Sequence, residues 1–219
     1  MKSLLIVFLF VASQAGAQYS AEEIAKKKIH TISTKSGEYR TKIYYDQYGN
    51  DTAHYINGAI YQTKKHKYDN ERLVSTSILN AEGKEYSTKT FVFLQDGTFF
   101  SMNTDKDFGM TDYTYFNKEG KAVRDVIPDG SERIYTYDKI GRLSTFKTKP
   151  MKDAVIVDVT YQYDSKNRLI KETSNGDFKW TNTYTYNENG LIKNKTTSYV
   201  DEDGKKASSV TTYTYELRK

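Results

Sequence analysis

The 219-residue sequence contains no cysteine, two prolines and one tryptophan. Without cysteine, the chain has neither a disulfide framework nor a residue to which a lipoprotein lipid is attached. Beyond its N-terminal segment it also lacks any apolar run close to the roughly 18–20 residues with which a helix spans a bilayer. Glycine-rich phosphate loops and the G-x-S-x-G pattern of a nucleophilic serine are missing as well. These absences exclude a disulfide-stapled scaffold and a helical membrane protein, and they argue against an enzyme.

The N-terminal segment has the pattern of a secretory signal peptide. Lys2 precedes an apolar run at residues 4–12, and small residues follow at 15–17. Because this order of basic, apolar and small residues marks a cleaved signal, the sequence predicts removal of residues 1–17 before Gln18. The protein is therefore expected to be exported to the periplasm, the cell surface or the medium.

The charges of the chain are mixed. The net charge is +5, and lysine and arginine are interspersed among aspartate and glutamate. Such a surface does not indicate a nucleic-acid partner and suits an envelope glycan or a surface protein better. The histidines, His30, His54 and His66, do not have the spacing of a metal site. We therefore predict no metal, no cofactor and no nucleic acid, and we interpret the basic stretch at 64–67 as a solvated strand edge.

A short aromatic phrase recurs through most of the chain. Its clearest copies are YTYDKIGRL at 135–143 and YQYDSKNRL at 161–169. The aromatic residue before the turn is the anchor of each copy, and successive anchors are 22 to 29 residues apart. The predicted anchors are Tyr45, Tyr68, Phe93, Tyr115, Tyr137, Tyr163, Tyr186 and Tyr215. A repeat this regular indicates one structural unit that is used many times.

Each copy is predicted to be a β-hairpin. Asp138 begins a turn in which its carboxylate accepts backbone N–H groups two residues on. Gly141 stands four residues after the anchor, where a three-residue loop that closes in a bulge needs a positive φ. This loop places Tyr137 opposite Leu143 on one face and Asp138 opposite Arg142 on the other. The phrase therefore supplies a turn and two cross-strand pairs.

Most copies have glycine or asparagine four residues after the anchor, but two do not. The positions equivalent to Gly141 are Gly49, Gly97, Gly190 and, with the next-best residue, Asn167. Arg72 fits this position poorly and Gly120 comes one residue late, so two hairpins are expected to have another loop form. A second set of turn signals, among them Asn57-Gly58, brings a turn every 9 to 15 residues.

The predicted fold class is all-β. It is a long antiparallel meander of repeated hairpins, with about 14 strands, that forms a curved or spiralled sheet. Its tyrosine-rich face is expected to stay partly open at the ends, because the hydroxyls need water or a partner. Ser20 and Glu23 form a capping box that predicts a short helix within 20–28. Residues 18–219 are predicted to be a single β-repeat domain.

The recurring phrase resembles the YD repeat, the tyrosine–aspartate repeat of RHS-type proteins, whose pattern is approximately Y-x-Y-D-x-x-G-R-L. The copy at 135–143 matches each fixed position, and the copy at 161–169 departs from it at Asn167. Three weaker copies, at 91–99, 113–123 and 184–192, keep the aromatic residues and lose Asp, Arg or Leu. The resemblance implies spiralling strips of sheet in a small exported protein, and it implies binding to carbohydrate or to a cell surface.

One segment is a candidate ligand-binding row. By strand parity, five side chains share a face: Phe178, Trp180, Asn182, Tyr184 and Tyr186. Aromatic rings with an interleaved amide are able to stack on sugar rings, although core packing of the same face is the competing interpretation. No catalytic residue is predicted.

The sequence leaves three functional hypotheses open. The first is a binding or structural module at the cell envelope, without catalysis, that presents an aromatic surface to a glycan. The second is an outer-membrane β-barrel. The sequence argues against it, because the strand faces carry Tyr and Thr where a membrane barrel has a lipid-facing band of Leu and Val. The third is a glycan-cleaving hydrolase that uses paired carboxylates. The identity of the ligand, the oligomeric state and whether the sheet closes on itself are not determined by the sequence.

Overall fold

A computed structural model describes residues 19–151, 156–200 and 204–218. These residues form one short helix followed by sixteen β-strands. The predicted signal peptide, residues 1–17, and the cleavage site before Gln18 lie outside the described residues. In the part of the chain that the structure describes, no helix has the length and apolar character that a membrane crossing needs.

Helix α1 spans Ala21–Lys26 and begins as predicted. The Ser20 hydroxyl accepts a hydrogen bond from the backbone N–H of Glu23, and the Glu23 carboxylate accepts one from the N–H of Ser20. This reciprocal capping box satisfies backbone donors that the first turn of a helix leaves unpaired. The predicted helix is therefore confirmed, within the bounds that the sequence indicated.

The strands are short and follow one another by tight turns. Their bounds are β1 Ile29–Ser36, β2 Tyr39–Tyr45, β3 Asp51–Ile56, β4 Ala59–Asp69, β5 Arg72–Leu79, β6 Glu85–Phe93, β7 Phe99–Asp105, β8 Met110–Phe116, β9 Ala122–Val126, β10 Glu132–Tyr137, β11 Leu143–Lys149, β12 Asp158–Tyr163, β13 Leu169–Ser174, β14 Trp180–Tyr186, β15 Ile192–Val200 and β16 Lys206–Leu217. Each strand pairs antiparallel with the next, as the meander prediction requires.

The sheet closes into a barrel. Strand β1 pairs antiparallel with β16, so that Ile32 lies opposite Tyr215 and Thr34 opposite Tyr213. The predicted curved or spiralled sheet of about 14 strands is therefore corrected to a closed barrel of sixteen strands within the described residues. A closed barrel leaves no edge strand, and so the N–H and C=O groups of β1 and β16, which an open ribbon exposes, are satisfied.

One turn missing from the predicted set accounts for one of the additional strands. Gly37 and Glu38 form a two-residue loop between β1 and β2, with Ser36 opposite Tyr39 and a φ of +59° at Gly37. Glycine at the first central position of such a hairpin takes the positive φ that other residues avoid. This hairpin adds β1, the strand that makes closure possible.

The recurring phrase forms the hairpin that it predicts. Tyr137 lies opposite Leu143, and the N–H of Asp138 donates to the carbonyl of Arg142. Gly141 has a φ of +81°. The Asp138 carboxylate accepts the N–H of Ile140 and, at 2.6 Å, the Nε–H of Arg142. The copy at 161–169 repeats this geometry, with Asn167 at a φ of +62° and the Arg168 Nε–H 2.7 Å from Asp164 Oδ2.

The two copies with poor offsets differ as expected. Asn70 and Glu71 form a two-residue turn with both φ values positive, so that Asp69 lies opposite Arg72. In the other copy the loop begins one residue later, at Asn117, and Phe116 lies opposite Ala122. The structural anchor of that hairpin is therefore Phe116, and the choice of Tyr115 was wrong.

The anchor tyrosines also join one hairpin to the next. At the last four anchors the hydroxyl donates to the carbonyl of the residue that lies opposite the preceding anchor: Tyr137 to Ala122 at 2.6 Å, Tyr163 to Leu143 at 2.9 Å, Tyr186 to Leu169 at 2.6 Å and Tyr215 to Ile192 at 3.0 Å. The Arg142 and Arg168 guanidinium groups lie 4.6 Å from the ring centres of Tyr163 and Tyr186. These contacts run along one rim, called here the tyrosine-turn end.

The wall of the barrel has two chemically different faces. In β16 the side chains of Lys206, Ser208, Thr212 and Thr214 are exposed, whereas Tyr213 between them is buried. Strand β14 alternates in the same way, with Asn182 and Tyr184 buried and the threonines at 183 and 185 exposed. Because successive side chains of a strand point to opposite faces, the buried set faces the interior of the barrel.

Helix α1 closes the tyrosine-turn end over part of the barrel. Ile24 is buried, and the Tyr19 hydroxyl accepts the backbone N–H of Ile192 at 2.8 Å. Together with the helix, strands β1, β2 and β14–β16 enclose one apolar cluster, which contains Tyr19, Ile24, Ile29, Ile32, Ile43, Tyr45, Tyr184, Leu191, Ile192 and Tyr213. The core of the protein therefore lies where its first and last strands meet.

Candidate functional site in the barrel interior

The predicted aromatic row does not form a continuous surface. Trp180, Asn182, Tyr184 and Tyr186 do share the interior face of β14, as parity predicts. Phe178 precedes the strand and is 51% exposed. The row is therefore divided between the interior of the barrel and a turn at its far end.

The polar groups of the row already have partners in the wall. The Glu172 Oε2 atom on β13 accepts the Asn182 amide at 2.7 Å and the Tyr184 hydroxyl at 2.6 Å. The Tyr186 hydroxyl donates a hydrogen bond to the Leu169 carbonyl. These contacts give the row a structural role in the barrel, and ligand binding by it stays a prediction.

A larger polar network, which the sequence did not reveal, lies on the interior face of β3–β5. Asp51 Oδ2 accepts the His54 Nε2–H at 2.5 Å and the Lys64 ammonium at 2.6 Å. The Gln62 amide donates to His54 Nδ1 at 3.4 Å, and the Gln62 carbonyl accepts the Tyr86 hydroxyl at 2.8 Å. Donors therefore point in one direction along the chain of contacts, and Asp51 is the acceptor at its end.

A second histidine, His66, contacts the backbone carbonyl of the same aspartate. His66 Nε2 lies 2.9 Å from the Asp51 carbonyl, and His66 Nδ1 lies 2.9 Å from the Thr76 hydroxyl. A carbonyl accepts but does not donate, so the proton of a neutral His66 is on Nε2, and Nδ1 accepts from Thr76. The basic stretch at 64–67 is thus not simply a solvated edge, since Lys64 and His66 face the interior.

The Asp51 carboxylate is stabilised in its ionised form. Burial by itself raises the pKa of Asp51, but the hydrogen bond from His54 and the positive charge of Lys64 outweigh it and hold the pKa well below the ordinary value. Asp51 is therefore a negative charge in the barrel interior at neutral pH, with the Lys64 ammonium as its counter-charge.

A cavity of about 540 Å³ lies against this network. Ala21 and Ile24 of helix α1 line it at the tyrosine-turn end, and Tyr39 and Tyr61 line it at the opposite end. Its side wall includes Thr41, Ile43, Tyr45, Asp51, His54, Ile56, Gln62 and Lys64. Aliphatic and aromatic walls with a few polar groups are typical of a small-molecule site.

Tyr45 lines this cavity, and its own hydroxyl is buried and unsatisfied. Its side chain is 4% exposed, and its hydroxyl has no hydrogen-bond partner among the described residues. Burial, and then the nearby charge of Asp51, raise the pKa of Tyr45, so that the hydroxyl keeps its proton. A buried donor without an acceptor costs free energy.

Other interior residues contribute charge of both signs. Lys195 is 2% exposed, and burial lowers the pKa of its ammonium group, while the carboxylate of Glu172 acts in the opposite direction. Within the described ranges, no three His, Cys, Asp or Glu side chains are grouped as metal ligands. The interior therefore offers charged and hydrogen-bonding groups beside apolar surface.

Sequence reasoning missed the Asp51 network because no spacing rule connects its members. The Asn57-Gly58 turn was predicted correctly, and from it a regular hairpin places His54 opposite Tyr61. The structure has a bulge between His54 and Tyr55, which places His54 opposite Gln62 instead. The alternation of Gln62, Lys64 and His66 on β4 is the one signal that pointed to a shared face.

Comparison with known proteins identifies a similar fold. No protein-family model matches the sequence, and the comparison with curated proteins finds no match either. The structure is similar to that of a porin-like protein from Bacteroides uniformis, with a TM-score of 0.51 and 13% sequence identity over 86% of this chain and 98% of that one. At this identity the likeness concerns the fold alone.

The resemblance to YD-repeat proteins of the RHS type is therefore corrected. The phrases are real hairpins, but they build a closed sixteen-strand barrel within the described residues, and the similar solved structure is porin-like. A strand–turn–strand unit with aromatic anchors satisfies the local geometry of either architecture. What separates a barrel from a spiral is the pairing of β1 with β16, which the phrase does not encode.

Proposed function

We propose that this chain is an exported β-barrel of the cell envelope, porin-like in shape, whose outer wall faces water and whose polar interior is its recognition surface. The observation that carries the proposal is the polarity of the outer face of a closed barrel. Closure also favours this function over the open, glycan-binding sheet of the first hypothesis, because the aromatic face is turned inward.

The outer wall has little of what a lipid-facing surface needs. The exposed face of β16 carries Lys206, Ser208, Val210, Thr212, Thr214 and Glu216, of which only Val210 is apolar. A membrane barrel presents an apolar band about 25 Å tall, and a charged side chain on its lipid face costs about 2–4 kcal/mol at the midplane. Spanning strands also need about 9–11 residues, whereas β9 has five residues and β10 has six.

An outer-membrane barrel is the second candidate function. A closed barrel is one of the two architectures that satisfy every backbone group in a bilayer. The outward faces of β6–β8 carry Val92, Phe100, Met102 and Tyr113, which form an apolar patch of the kind that favours contact with lipid or protein. The likeness to a porin-like protein supports this candidate as well.

Cell fractionation separates the two placements. The full chain, including residues 1–17, is expressed in a host with two membranes, and the fractions are probed with an antibody. We expect release by osmotic shock without detergent, at a size that indicates loss of the N-terminal segment. Retention in the outer membrane through an alkaline carbonate wash, alongside a porin of the host, contradicts the water-facing placement and supports the second candidate.

Glycan recognition by the row around Trp180 stays a separate prediction. Its test is a glycan panel probed with the purified protein and with Trp180→Ala. Equal glycan binding by the two proteins would show that the row around Trp180 is not the binding site. The absence of catalysis is likewise a prediction, and release of reducing ends from an envelope polysaccharide would contradict it.

A further inference from the structure

We propose that the barrel docks on the surface of a zwitterionic phospholipid membrane through the rim opposite its tyrosine-turn end, called here the far rim. The inference rests on the water-facing placement of the outer wall, and it adds the part of the molecule that meets a membrane. Three features carry it: exposed apolar side chains around this rim, the bracing of the turns that present them, and balanced charges beside them.

Most of the large apolar side chains that the described residues expose lie on the far rim. Phe108, in the turn between β7 and β8, is 74% exposed, and Phe178, in the turn between β13 and β14, is 51% exposed. The starts of β2, β4 and β8 add Tyr39, Ile60, Tyr61 and Met110. At the tyrosine-turn end the exposed apolar residues are Leu94, Ile140 and Leu217. The two ends of the barrel therefore differ in apolar character.

The apolar side chains of the far rim are spread around it and do not form one contiguous patch. They lie on turns and strand ends of β2, β4, β8 and β14, with polar residues between them. A protein interface buries a closely packed core, whereas the interface of a fluid bilayer takes up apolar side chains to a shallow depth. Aromatic rings are suited to this boundary. Separate apolar tips around a rim therefore fit a membrane surface better than a protein partner.

Hydrogen bonds hold the turn that carries Phe108 in place. Asp105 Oδ1 accepts the backbone N–H groups of Asp107 at 2.9 Å and of Phe108 at 3.0 Å. Lys84, in the neighbouring turn between β5 and β6, forms an ion pair of 3.2 Å with Asp107. The Phe108 ring is therefore presented to solvent on a turn that does not have to be ordered when the protein binds.

The turn that carries Phe178 is braced by the turn between β11 and β12. The N–H of Ile156 donates to Asp177 Oδ2 at 2.8 Å, and the N–H of Asp177 donates to the Ile156 carbonyl at 2.9 Å. A Cβ at Gly176 would lie 2.1 Å from the Ile156 carbonyl oxygen, so the two turns are in close contact. Since Ile156 is 48% exposed, this pair of turns presents two apolar side chains together.

The charges of the far rim are balanced. The exposed basic side chains that form no ion pair with a described residue are Lys35, Arg40, Lys149, Lys179 and Lys206. The exposed carboxylates in the same situation are Glu38, Glu82, Asp129 and Asp177. A zwitterionic headgroup offers a phosphate to the first set and an ammonium group to the second, whereas a strongly anionic surface repels the second. Docking is therefore expected to depend on apolar insertion and not on net charge.

The test measures co-sedimentation of the protein with vesicles of phosphatidylethanolamine and phosphatidylcholine. The protein is purified in the form that the expression host exports. We expect it to sediment with these vesicles, and we expect its affinity to change less than about twofold when phosphatidylglycerol replaces part of the phosphatidylcholine. Absence of binding to the zwitterionic vesicles, or binding only when phosphatidylglycerol is present, overturns the proposal.

Phe108→Ser tests the far rim. Loss of the ring is expected to weaken vesicle binding about tenfold, with an unchanged far-ultraviolet circular dichroism spectrum because the side chain is exposed. Ile140→Ser is the matched control, since Ile140 is 64% exposed on a turn of the tyrosine-turn end. It is expected to leave the affinity unchanged, and any contribution of the N-terminal segment is the same in both variants. Equal affinities of the two variants overturn the assignment of the rim.

Phe108→Trp reports on insertion directly. The chain has one other tryptophan, Trp180, whose emission is a common background in Phe108→Trp and in the control Ile140→Trp. We expect vesicles to shift the emission of Phe108→Trp to the blue, brominated phospholipid to quench it, and neither to change the emission of Ile140→Trp. The same response in both variants contradicts docking by the far rim.

End-to-end association of two barrels is the other use of an apolar rim. Sedimentation equilibrium without lipid is expected to show a monomer at the concentrations at which vesicles are bound. A dimer that Phe108→Ser dissociates, in a protein that does not bind vesicles, overturns the proposal in favour of a second copy. Shallow insertion is reversible, so it agrees with release by osmotic shock. Failure of vesicle binding leaves the envelope placement standing, because fractionation measures that placement separately.

Discussion

The barrel is held together differently on its two sides. On one side, helix α1 and strands β1, β2 and β14–β16 enclose a cluster of buried isoleucine and tyrosine side chains. On the other side, strands β3–β10 bury Thr76, Ser87, Ser101 and Asp125, and most of their interior rings are half-buried. The first side is called the helix-capped sector and the second the polar sector.

The difference follows from how the barrel closes. Neighbouring strands are joined by short turns, so their pairing costs little chain entropy. The β1–β16 pairing joins Ile29 to Leu217, and it must overcome the loss of freedom of nearly the whole chain. Apolar burial is the largest favourable contribution to folding in water. It is concentrated where β1 and β16 meet, which is called here the seam. The polar sector is left able to carry a network of charged and hydrogen-bonding groups.

The largest expected effect is a cavity at the seam. Ile192 is 1% exposed, and Ile192→Ala is expected to lower the free energy of unfolding by about 2–5 kcal/mol, because it leaves a void in the apolar cluster. Val210 on the outer face of β16 is 50% exposed, and Val210→Ala is expected to cost less than about 1 kcal/mol. Urea denaturation measures both. Equal losses would break the distinction between the seam and its surroundings.

Alanine substitutions at two glycines of equivalent hairpins distinguish the cost of backbone strain from the cost of displacing helix α1. Gly49 and Gly190 have φ values of +82° and +71°, so alanine strains the backbone at both, by about 1 kcal/mol. A Cβ at Gly49 would also lie 1.9 Å from the Ala21 carbonyl oxygen, whereas one at Gly190 meets no atom within 4 Å. We expect Gly49→Ala to lose about 3 kcal/mol and to expose helix α1 to protease. Similar stabilities for the two variants would show that the helix does not depend on this contact.

The polar sector is expected to depend on pH through Asp51. Its depressed folded-state pKa means that the carboxylate contributes stability above its unfolded-state pKa of about 3.9, and that this contribution is lost as the pH falls toward the folded-state pKa. Asp51→Asn is expected to cost about 1–3 kcal/mol at pH 7, and the difference from the parent should shrink below about pH 4.

The matched control for Asp51 is a pair in solvent. Asp107 lies 3.2 Å from Lys84, and its side chain is 53% exposed. Asp107→Asn is expected to change stability by less than about 0.5 kcal/mol at pH 7. Guanidinium denaturation between pH 3 and pH 8 follows all three proteins. If the stability of Asp51→Asn and that of the parent changed in parallel with pH, Asp51 would not be a cause of the pH dependence.

The smallest expected effect concerns one hydroxyl at the rim. Tyr186→Phe leaves the ring and removes the hydrogen bond to the Leu169 carbonyl, which is expected to cost about 1 kcal/mol. Tyr45→Phe removes a buried hydroxyl that has no partner and is expected to cost nothing or to stabilise the protein. Thermal unfolding compares the pair. A larger loss for Tyr45→Phe would mean that its hydroxyl is satisfied in the folded protein.

Part of the candidate site was within reach of sequence reasoning. Parity correctly placed Trp180, Asn182, Tyr184 and Tyr186 on one face, because the period of a strand is fixed at two. The partner of that row, Glu172, was not identified, since the pairing of β13 with β14 depends on the length of an irregular turn. The Asp51 network was missed for a similar reason, because the bulge at His54 sets which residues of β4 lie opposite.

The sequence by itself determined the local structure of this protein. The aromatic alternation, the aspartate and the glycine of each phrase act over a few residues, and so the hairpins, the capped helix and the all-β class followed from it. Closure, the separation of the helix-capped and polar sectors, and the cavity beside Tyr45 were decided by tertiary structure alone. They depend on contacts between residues far apart in the chain, where the number of strands, the bulges and the entropy of joining the two ends decide which surfaces meet.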